Sequence, residues 1–387
     1  MLKEERVGNT RNSQFSLLFI VPGKIERLTG GSRYDWKLAA GFDEHGFRLE
    51  VATVPDLPYF LGLIAGAVIS PLLLLRLTIR KYDVVLEDGW AHPTLLLFNM
   101  VCSLFSRVRR VIIVHQVRWR EMNPLARFVC RVAERQMLRS AQLIVAVSRF
   151  VRGEVEHLVG RSECIVVAPP GSAPLSNTAR DATKIEDAPI RLLFVGNCVR
   201  LKGIDHLIEA VGSLRDLSLR LDVVGDINFD QRYYQKLLGQ VKDLRLSDRV
   251  TFHGVLSHGD LGAFYSRADI FTFPSLYEGF GIVLAEAMHS GLPIVATRTG
   301  PANEILREDG NALIVPIADS TAFARAIRRL AENPVMRETF GRRSRELAGS
   351  LPTWEQTCGD VCDEIEIICR TTPDTKRSMR GTPTQSP

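Results

Sequence analysis

Two carboxylates, Glu278 and Glu286, stand with seven residues between them in Ser275-Leu-Tyr-Glu-Gly-Phe-Gly-Ile-Val-Leu-Ala-Glu-Ala-Met-His-Ser-Gly291. Gly279-Phe280-Gly281 follows the first of them at once, and two glycines let a backbone turn tightly and bring its amides close to a ligand. Ile282, Val283, Leu284, Ala285 and Met288 then read as the buried side of a short helix that stops at Ser290-Gly291. The order is a loop carboxylate, an amide nest and a helix N-terminus. It suits a ligand with a charged phosphate beside an uncharged polyol, because free N–H groups and the helix dipole favour the anion while carboxylates accept from hydroxyls. Glu286 is expected about two turns into the helix, roughly 8 Å from its start at about 1.5 Å per residue. A solvated helix face would carry the same pair, but Glu286 has apolar neighbours on both sides, where an unpaired carboxylate is costly.

The run from Pro274 to Ala296 resembles the signature of the retaining, two-domain GT-B glycosyltransferases that carry a Glu-x7-Glu motif, the family 4-like "group 1" enzymes. The resemblance implies that Glu286 holds the ribose of a nucleotide. It also implies that Glu278 and the amides of Gly279, Phe280 and Gly281 face the donor sugar and its phosphates.

Length and composition bound this reading. A chain of 387 residues is too long for one simple core and suggests two domains. Up to residue 185 it holds 25 of the 49 Lys and Arg against 17 of the 44 Asp and Glu, so the net +5 arises from a basic first part and a mildly acidic remainder. The basic half is the candidate for an anionic surface or substrate. Seven cysteines, an odd number, argue for a reducing, cytoplasmic compartment. Cys358 and Cys362 lack a second ligand pair and are expected to pack a helix. Met1 to Gln14 is polar and reads as neither signal nor anchor. No Asp-x-Asp string occurs, in keeping with a metal-free site, and a nucleic-acid partner is not expected.

The elements that must position these residues alternate. Phe15 to Val21, Phe47 to Val54, Asp83 to Glu87, Val111 to His115, Leu143 to Val147 and Cys164 to Val167 read as short buried strands, with helical patterns from Tyr34, at Thr94 to Phe105 and after the cap Ser148. A second series follows at Ile190 to Gly196, Leu219 to Val224, Val250 to His253, Ile270 to Phe273, Ile294 to Ala296 and Ala312 to Val315. Alternating strands and helices predict parallel, doubly wound α/β sheets. With the resemblance, the fold class is α/β with GT-B architecture, two Rossmann-like domains facing a cleft. An acceptor domain is expected at 1–175, a linker at 176–188, a nucleotide-sugar domain at 189–350, a helix at 354–370 returning to the first domain, and a disordered tail at 371–387.

Two stretches of the first half are unusual. Leu57 to Leu75 has no charge, contains Pro58 and Pro71, and is closed by Arg76, Arg80 and Lys81. Its length would just span a bilayer, yet spanning would separate strands of one sheet, which favours a helix on the membrane surface or one buried under the domain. Arg118, Arg120, Arg127, Arg131, Arg135 and Arg139 lie among apolar residues, the last four at helical spacing along one stripe. A basic amphipathic helix binds anionic lipid and is equally a solvated face. Coupled with the greasy stretches, it makes peripheral attachment to the inner face of a membrane the expectation.

The remaining candidates sit at strand ends. Gly30-Gly31 lies between the first strand and a helix, where an open α/β sheet receives phosphate, and the family has a glycine pair there against the donor. His115 ends a strand, and a histidine at this strand end lines the sugar site in the family. Arg200 and Lys202 lead into a helix and suit a diphosphate or a charged surface alike. The family holds the diphosphate with an arginine and a Lys-Gly five residues on; Lys202-Gly203 matches, but Asn197 stands at the arginine's place, with Arg200 the nearby substitute. Gly225, His253 and Val255 match family positions near the nucleotide. The implied reaction is transfer of a sugar from a UDP-, GDP- or ADP-sugar to a hydroxyl of a lipid-linked or saccharide acceptor, with retention, no metal or other cofactor, and His115 and Glu278 as the catalytic pair. A nucleotide-sugar epimerase and a non-catalytic nucleotide-sugar-binding protein are the rival readings.

Overall fold

The computed structural model describes residues 4–6, 15–23, 29–105, 108–175 and 188–371. The expected linker at 176–188, apart from its last residue, most of the polar start, and the expected disordered tail beyond Thr371 lie outside the described residues. The chain divides into two compact units, Met1–Pro169 with Glu355–Pro387, and Pro170–Trp354.

Unit 1 is built on seven strands: β1 (Glu4–Arg6), β2 (Phe15–Pro22), β3 (Phe47–Val54), β4 (Val84–Asp88), β5 (Arg109–Val114), β6 (Leu143–Ala146) and β7 (Ile165–Val167). Their order is β1-β3-β2-β4-β5-β6-β7. All pairings are parallel except that of β1, a short antiparallel edge on β3 that the residue pattern does not announce. The connecting helices are α1 (Gly30–Glu44), α2 (Tyr59–Ile79), α3 (His92–Phe105), α4 (Pro124–Arg139) and α5 (Arg149–Val159). Because parallel crossovers are right-handed, the step from β2 outward to β3 puts α1 on one face, and the reverse steps put α2 to α5 on the other.

Local chemistry starts these helices where they start. Thr29, Asn123 and Ser148 each accept a hydrogen bond from the backbone N–H three residues on, at α1, α4 and α5, which satisfies an N–H with no helical partner. The sheet itself reads as near-continuous apolar runs because both faces are covered. Leu18, Ile20, Val85, Leu95, Phe98 and Leu73 form one core cluster on the α2–α3 side.

Unit 2 carries β8 (Ile190–Val195), β9 (Leu219–Val224), β10 (Val250–Gly254), β11 (Ile270–Phe273), β12 (Ile294–Thr297) and β13 (Ala312–Val315). All are parallel, in the order β10-β9-β8-β11-β12-β13. Helices α6 (Ile204–Gly212), α7 (Gln231–Asp243), α8 (His258–Arg267), α9 (Ile282–His289), α10 (Gly300–Ile305), α11 (Ser320–Ala331) and α12 (Pro334–Ala348) connect and cover them. Two separate clusters, one around Leu207, Leu237 and Phe323 and one around Tyr265, Leu284 and Met288, mark the two buried faces. The last helix, α13 (Trp354–Arg370), joins unit 1 from its second residue onward. Its Thr357 hydroxyl donates to Pro169 O at 2.8 Å. Cys358 and Cys362 are buried on it, and a Cβ added at Gly41 of α1 would lie 2.6 Å from Cys358 Sγ.

In each sheet the first strand of the wind is internal, β2 between β3 and β4, and β8 between β9 and β11. Connections leave these neighbours in opposite directions, which opens a crevice at their carboxyl ends, where ligands of open α/β sheets bind.

The uncharged stretch near residue 60 departs from one of its expected forms. It is a helix of 21 residues, α2, running through Pro71, and only 22% of its most apolar part is buried. It is therefore not buried on all sides: one face, with Leu73, packs into the core and the other is exposed. Of the arginines after residue 117, Arg118 belongs to no lipid-facing stripe: it is buried, lies over the rings of Tyr59 and Trp90, and donates to Trp90 O at 2.7 Å. Arg120 is paired with Glu154.

Candidate active site

In unit 2 the candidates gather at the crevice beside β8. After β8 the chain makes a loop and a 3-10 turn, Arg200–Lys202, before α6; after β11 it makes the loop that holds Glu278 and enters α9. The two loops are stitched together. Leu276 N donates to Leu201 O at 2.7 Å, and Gly203, at φ 64°, passes so close to the other loop that a Cβ would stand 2.2 Å from Pro274 O. Lys202 Nζ reaches Glu278 Oε2 at 2.5 Å, both side chains being partly exposed. The pair is preformed by backbone contacts on either side of it.

Glu278 leads into Gly279 and Phe280, both buried, and Gly281 takes φ 80° as the N-cap of α9 with no side chain capping the helix. A Cβ at Gly281 would press on Phe273 at 3.1 Å. The result is a left-handed turn delivering an uncapped helix N-terminus beside Lys202, an arrangement that favours an anion through unpaired N–H groups and the helix dipole.

Glu286 lies one turn into α9 rather than two, since the helix begins only at Ile282. It is buried, and its Oε2 accepts from the Tyr265 hydroxyl at 2.9 Å. Arg200 is exposed in the same turn that carries Lys202. Asn197 has a structural task, its Oδ1 accepting from Asp226 N at 3.4 Å across the β8 and β9 loops. Gly225 completes that junction: its N–H donates to Gly254 O at 2.9 Å, and a Cβ on it would fall 2.0 Å from Gly196 O. His253 is held by Asp222, Nε2 to Oδ1 at 2.6 Å, with its ring edge on Phe264. Val255, just beyond, is exposed. The carboxyl ends of β10, β9, β8 and β11 thus bring together every unit 2 candidate.

Unit 1 assembles a second group at its own switch point. Gly30 and Gly31 open α1, and a Cβ on Gly31 would touch His115 Cδ2 at 3.2 Å. His115 Nε2 faces two carboxylates, Asp35 Oδ1 at 3.1 Å and Asp88 Oδ1 at 3.9 Å. Tyr34 sets its ring edge-on to the imidazole and donates to Ala168 O at 2.9 Å. Asp88 also accepts from Trp90 N at 2.9 Å. Burial, then the charge of Asp35, pushes the Asp88 carboxyl up to about 8, against the opposing pull of His115. Burial alone would lower His115, but Asp35 by charge and hydrogen bond, with Asp88 behind it, raises the imidazole to about 9. Asp88 and His115 thus hold protons that the same groups release more readily in water. Asp35, Asp88 and His115 are also the described residues whose ligand atoms, all within 4.8 Å of one another, could hold a metal ion.

Asp35, Asp88 and Tyr265 were missed from the residue pattern. A signal existed for the first: Asp35 falls on the inward stripe of α1 with Tyr34, Leu38 and Phe42, where a lone acid needs a partner. Asp88 ends an apolar strand as His115 follows one. Tyr265 carries no signal, because its partner Glu286 is 21 residues away.

Comparison with known proteins bears on both units. The family model described as glycosyl transferases group 1 matches residues 176–347, and that described as glycosyltransferase family 4 matches residues 31–172. The chain is 26% identical to the alpha-D-kanosaminyltransferase of Streptomyces kanamyceticus, over 95% of this chain and 97% of that protein. It is 30% identical to the D-inositol 3-phosphate glycosyltransferase of Pseudarthrobacter chlorophenolicus, over 52% of this chain and 50% of that one, so the match spans about half the length of that relative. Among solved structures, sucrose-phosphate synthase from Thermosynechococcus elongatus superposes with a TM-score of 0.80 at 19% identity, covering 92% of this chain and 99% of that one. Anabaena HepE in complex with UDP-glucose gives 0.72 at 20% identity, covering 92% and 100%. At such identities these two establish the fold, GT-B, and no more.

Proposed function

Since this chain belongs to the glycosyltransferases, its halves matching the family 4 and group 1 models, we propose that it moves a sugar from a nucleotide diphosphate sugar to an acceptor hydroxyl with retention of anomeric configuration. The observation that carries the proposal is the Lys202–Glu278 pair, 2.5 Å apart at the switch point and beside the uncapped start of α9. A diphosphate takes the place of Glu278 on Lys202 and lies against the α9 amides, while hydroxyls of the sugar take the place of Lys202 on Glu278. The ammonium then exchanges one anion for another and the carboxylate exchanges its ammonium for hydroxyl donors, so neither is left bare. That a neighbour in fold is solved with UDP-glucose supports a donor of this class.

In the reaction the bond from the sugar carbon to the diphosphate breaks with its electron pair on the diphosphate. The acceptor oxygen bonds the same carbon on the same face, and the acceptor proton passes to the departing phosphate. The protein's task is to stabilise the charge that builds on the leaving group, here by Lys202, Arg200 and the amides of Gly279 to Gly281, without a metal. Glu286 takes the ribose and His115 the sugar or acceptor. The acceptor we assign is lipid-linked or a saccharide of a cell-envelope polysaccharide or glycolipid, met by a protein peripheral on the cytoplasmic face of a membrane; the exposed apolar α2 supports this.

The test is a thermal-shift and calorimetric screen against UDP, GDP, ADP and their sugar conjugates in EDTA. The expected result is stabilisation by one nucleotide, followed by turnover only with acceptor and NMR of the product showing a retained anomer. Conversion of donor without acceptor would favour an epimerase, and binding without turnover a non-catalytic role. Loss of activity in EDTA would overturn the metal-free reading and direct attention to Asp35, Asp88 and His115.

A further inference from the structure

We propose that unit 1 docks on an anionic lipid bilayer through the outward face of α2, α3 and α4, with α2 lying in the plane of the membrane. The inference deepens the peripheral attachment proposed above by assigning it a face and a depth. Phe60, Ile64, Val68, Leu72, Leu75 and Ile79 recur at three or four residues along α2, which makes them one stripe, and each is more than half exposed. Leu97, Met100 and Leu104 extend the apolar surface over α3, and Phe128, Val129 and Val132 over α4. Of the 20 large apolar side chains exposed among the described residues, these three helices hold 13: seven on α2, three on α3 and three on α4. Right-handed crossovers place all three helices on one side of the sheet. Scattered exposed apolar residues need no explanation, but a contiguous concentration marks an interaction surface.

Charge selects the occupant. The sequences of α2 and α3 contain no acid, and the one acid of α4, Glu134, is buried and accepts from Arg118 N at 2.9 Å. Arg127, Arg131 and Arg135 stand exposed in a row on α4, and Lys81 stands exposed beyond the end of α2. An apolar field bordered by cations, on three helices that carry no exposed acid, complements acyl chains under anionic headgroups. A second copy of the chain would instead bring arginine rows together without a carboxylate between them.

The packing of α2 sets its orientation. Its inward stripe is small: a Cβ on Gly66 would lie 2.6 Å from Thr94 O, one on Gly62 would lie 3.0 Å from Pro93, and Ser70 Oγ accepts from Phe98 N at 3.1 Å. The helix is seated on α3 along its length, and it returns from the end of β3 to the start of β4, both paired with β2. Crossing the bilayer would carry the sheet in with it or strip α2 from α3.

The experiment is flotation of the full chain with vesicles of phosphatidylcholine alone or with 30 mol % phosphatidylglycerol. Wild type is expected to float with the anionic vesicles and to lose much of that binding in high salt. Ile64→Asp with Val68→Asp should lower the partition coefficient at least tenfold. Arg127→Gln, Arg131→Gln and Arg135→Gln together should lower it about a hundredfold, each cation near such a surface contributing roughly a factor of five. Phe229→Asp with Val335→Asp on unit 2 should leave it unchanged, and thermal melts confirm that each variant is folded. Wild type that never floats overturns both the face and the attachment. Wild type that floats, with the Ile64 and Val68 variant floating equally, overturns the face and leaves the attachment standing. Retention in membranes through alkaline carbonate extraction overturns the in-plane orientation, and lipid-free self-association abolished by the same two aspartates overturns the bilayer in favour of a second copy.

Discussion

Glu286 shows how one side chain can be asked for two things. Buried in α9 with the Tyr265 hydroxyl on its Oε2, it is part of the core and the assigned holder of the ribose. Glu286→Ala is expected to weaken nucleotide binding about 10- to 150-fold, the worth of a charged acceptor for a hydroxyl, and to lower stability by about 1 to 3 kcal/mol because Tyr265 loses that acceptor. Glu286→Gln separates the two: calorimetry should show reduced affinity in a protein that melts nearly as wild type. Lys202→Ala should reduce kcat and donor affinity together, and a wild-type rate would remove Lys202 from the phosphate site. The trio on unit 1 predicts a pH dependence. Asp88 and His115 are both raised in the fold, to about 8 and about 9, above their unfolded values of about 4 and 6.5. The native state therefore keeps protons that the unfolded chain has released. Its advantage is full below the unfolded values and is lost as pH rises through about 4 to 8 for Asp88 and about 6.5 to 9 for His115. Melting temperature should fall between pH 6.5 and 9, and Asp88→Asn should make the slope shallower.

At the scale of elements, the site is a junction between two loops. Gly203 matters to it more than its lack of chemistry suggests, since it combines a left-handed φ of 64° with Pro274 O at 2.2 Å from any Cβ. Gly203→Ala should cost about 2 kcal/mol or more from the backbone conformation and the clash. It should also part the loops that hold Lys202 to Glu278, so activity is expected to fall further than stability. An Ala variant melting as wild type would show that the loops are not coupled this way. The apolar strands were legible because parallel sheets buried on both faces leave no room for polar residues, as in Val84–Asp88 and Ile270–Phe273. The extent of α2 was not, because composition cannot say which side of a greasy helix finds a partner; Gly62, Gly66 and Ser70 found one in α3, and Ile64 and Val68 did not.

For the molecule as a whole, the chain crosses between its units twice, after Pro169 and after Trp354. Unit 1 is therefore incomplete until the last helix has been made. Thr357, Cys358, Val361, Cys362, Ile365 and Ile368 are buried on α13. Burial of an aliphatic side chain contributes about 1.5 to 3 kcal/mol, so the helix supplies several kcal/mol, comparable with the whole stability of a domain. A chain ending at Thr353 should lose hydrogen-exchange protection throughout unit 1 while β8 to β13 keep theirs. Equal protection in both units would contradict it.

By itself the sequence determined what depends on neighbours along the chain: the alternation of strands and helices, the Glu278-Gly-Phe-Gly turn into α9, and a family signature resting on contiguous residues. The tertiary structure decided what depends on residues far apart. It set Asp35 and Asp88 on His115 across 80 and 27 positions, joined Lys202 to Glu278 across 76, and turned Arg118 inward while leaving Arg131 outside. The reason is physical: a local pattern fixes backbone conformation and which face is apolar, but the partner of a buried charge is chosen only when separate strand ends meet at one edge of a sheet.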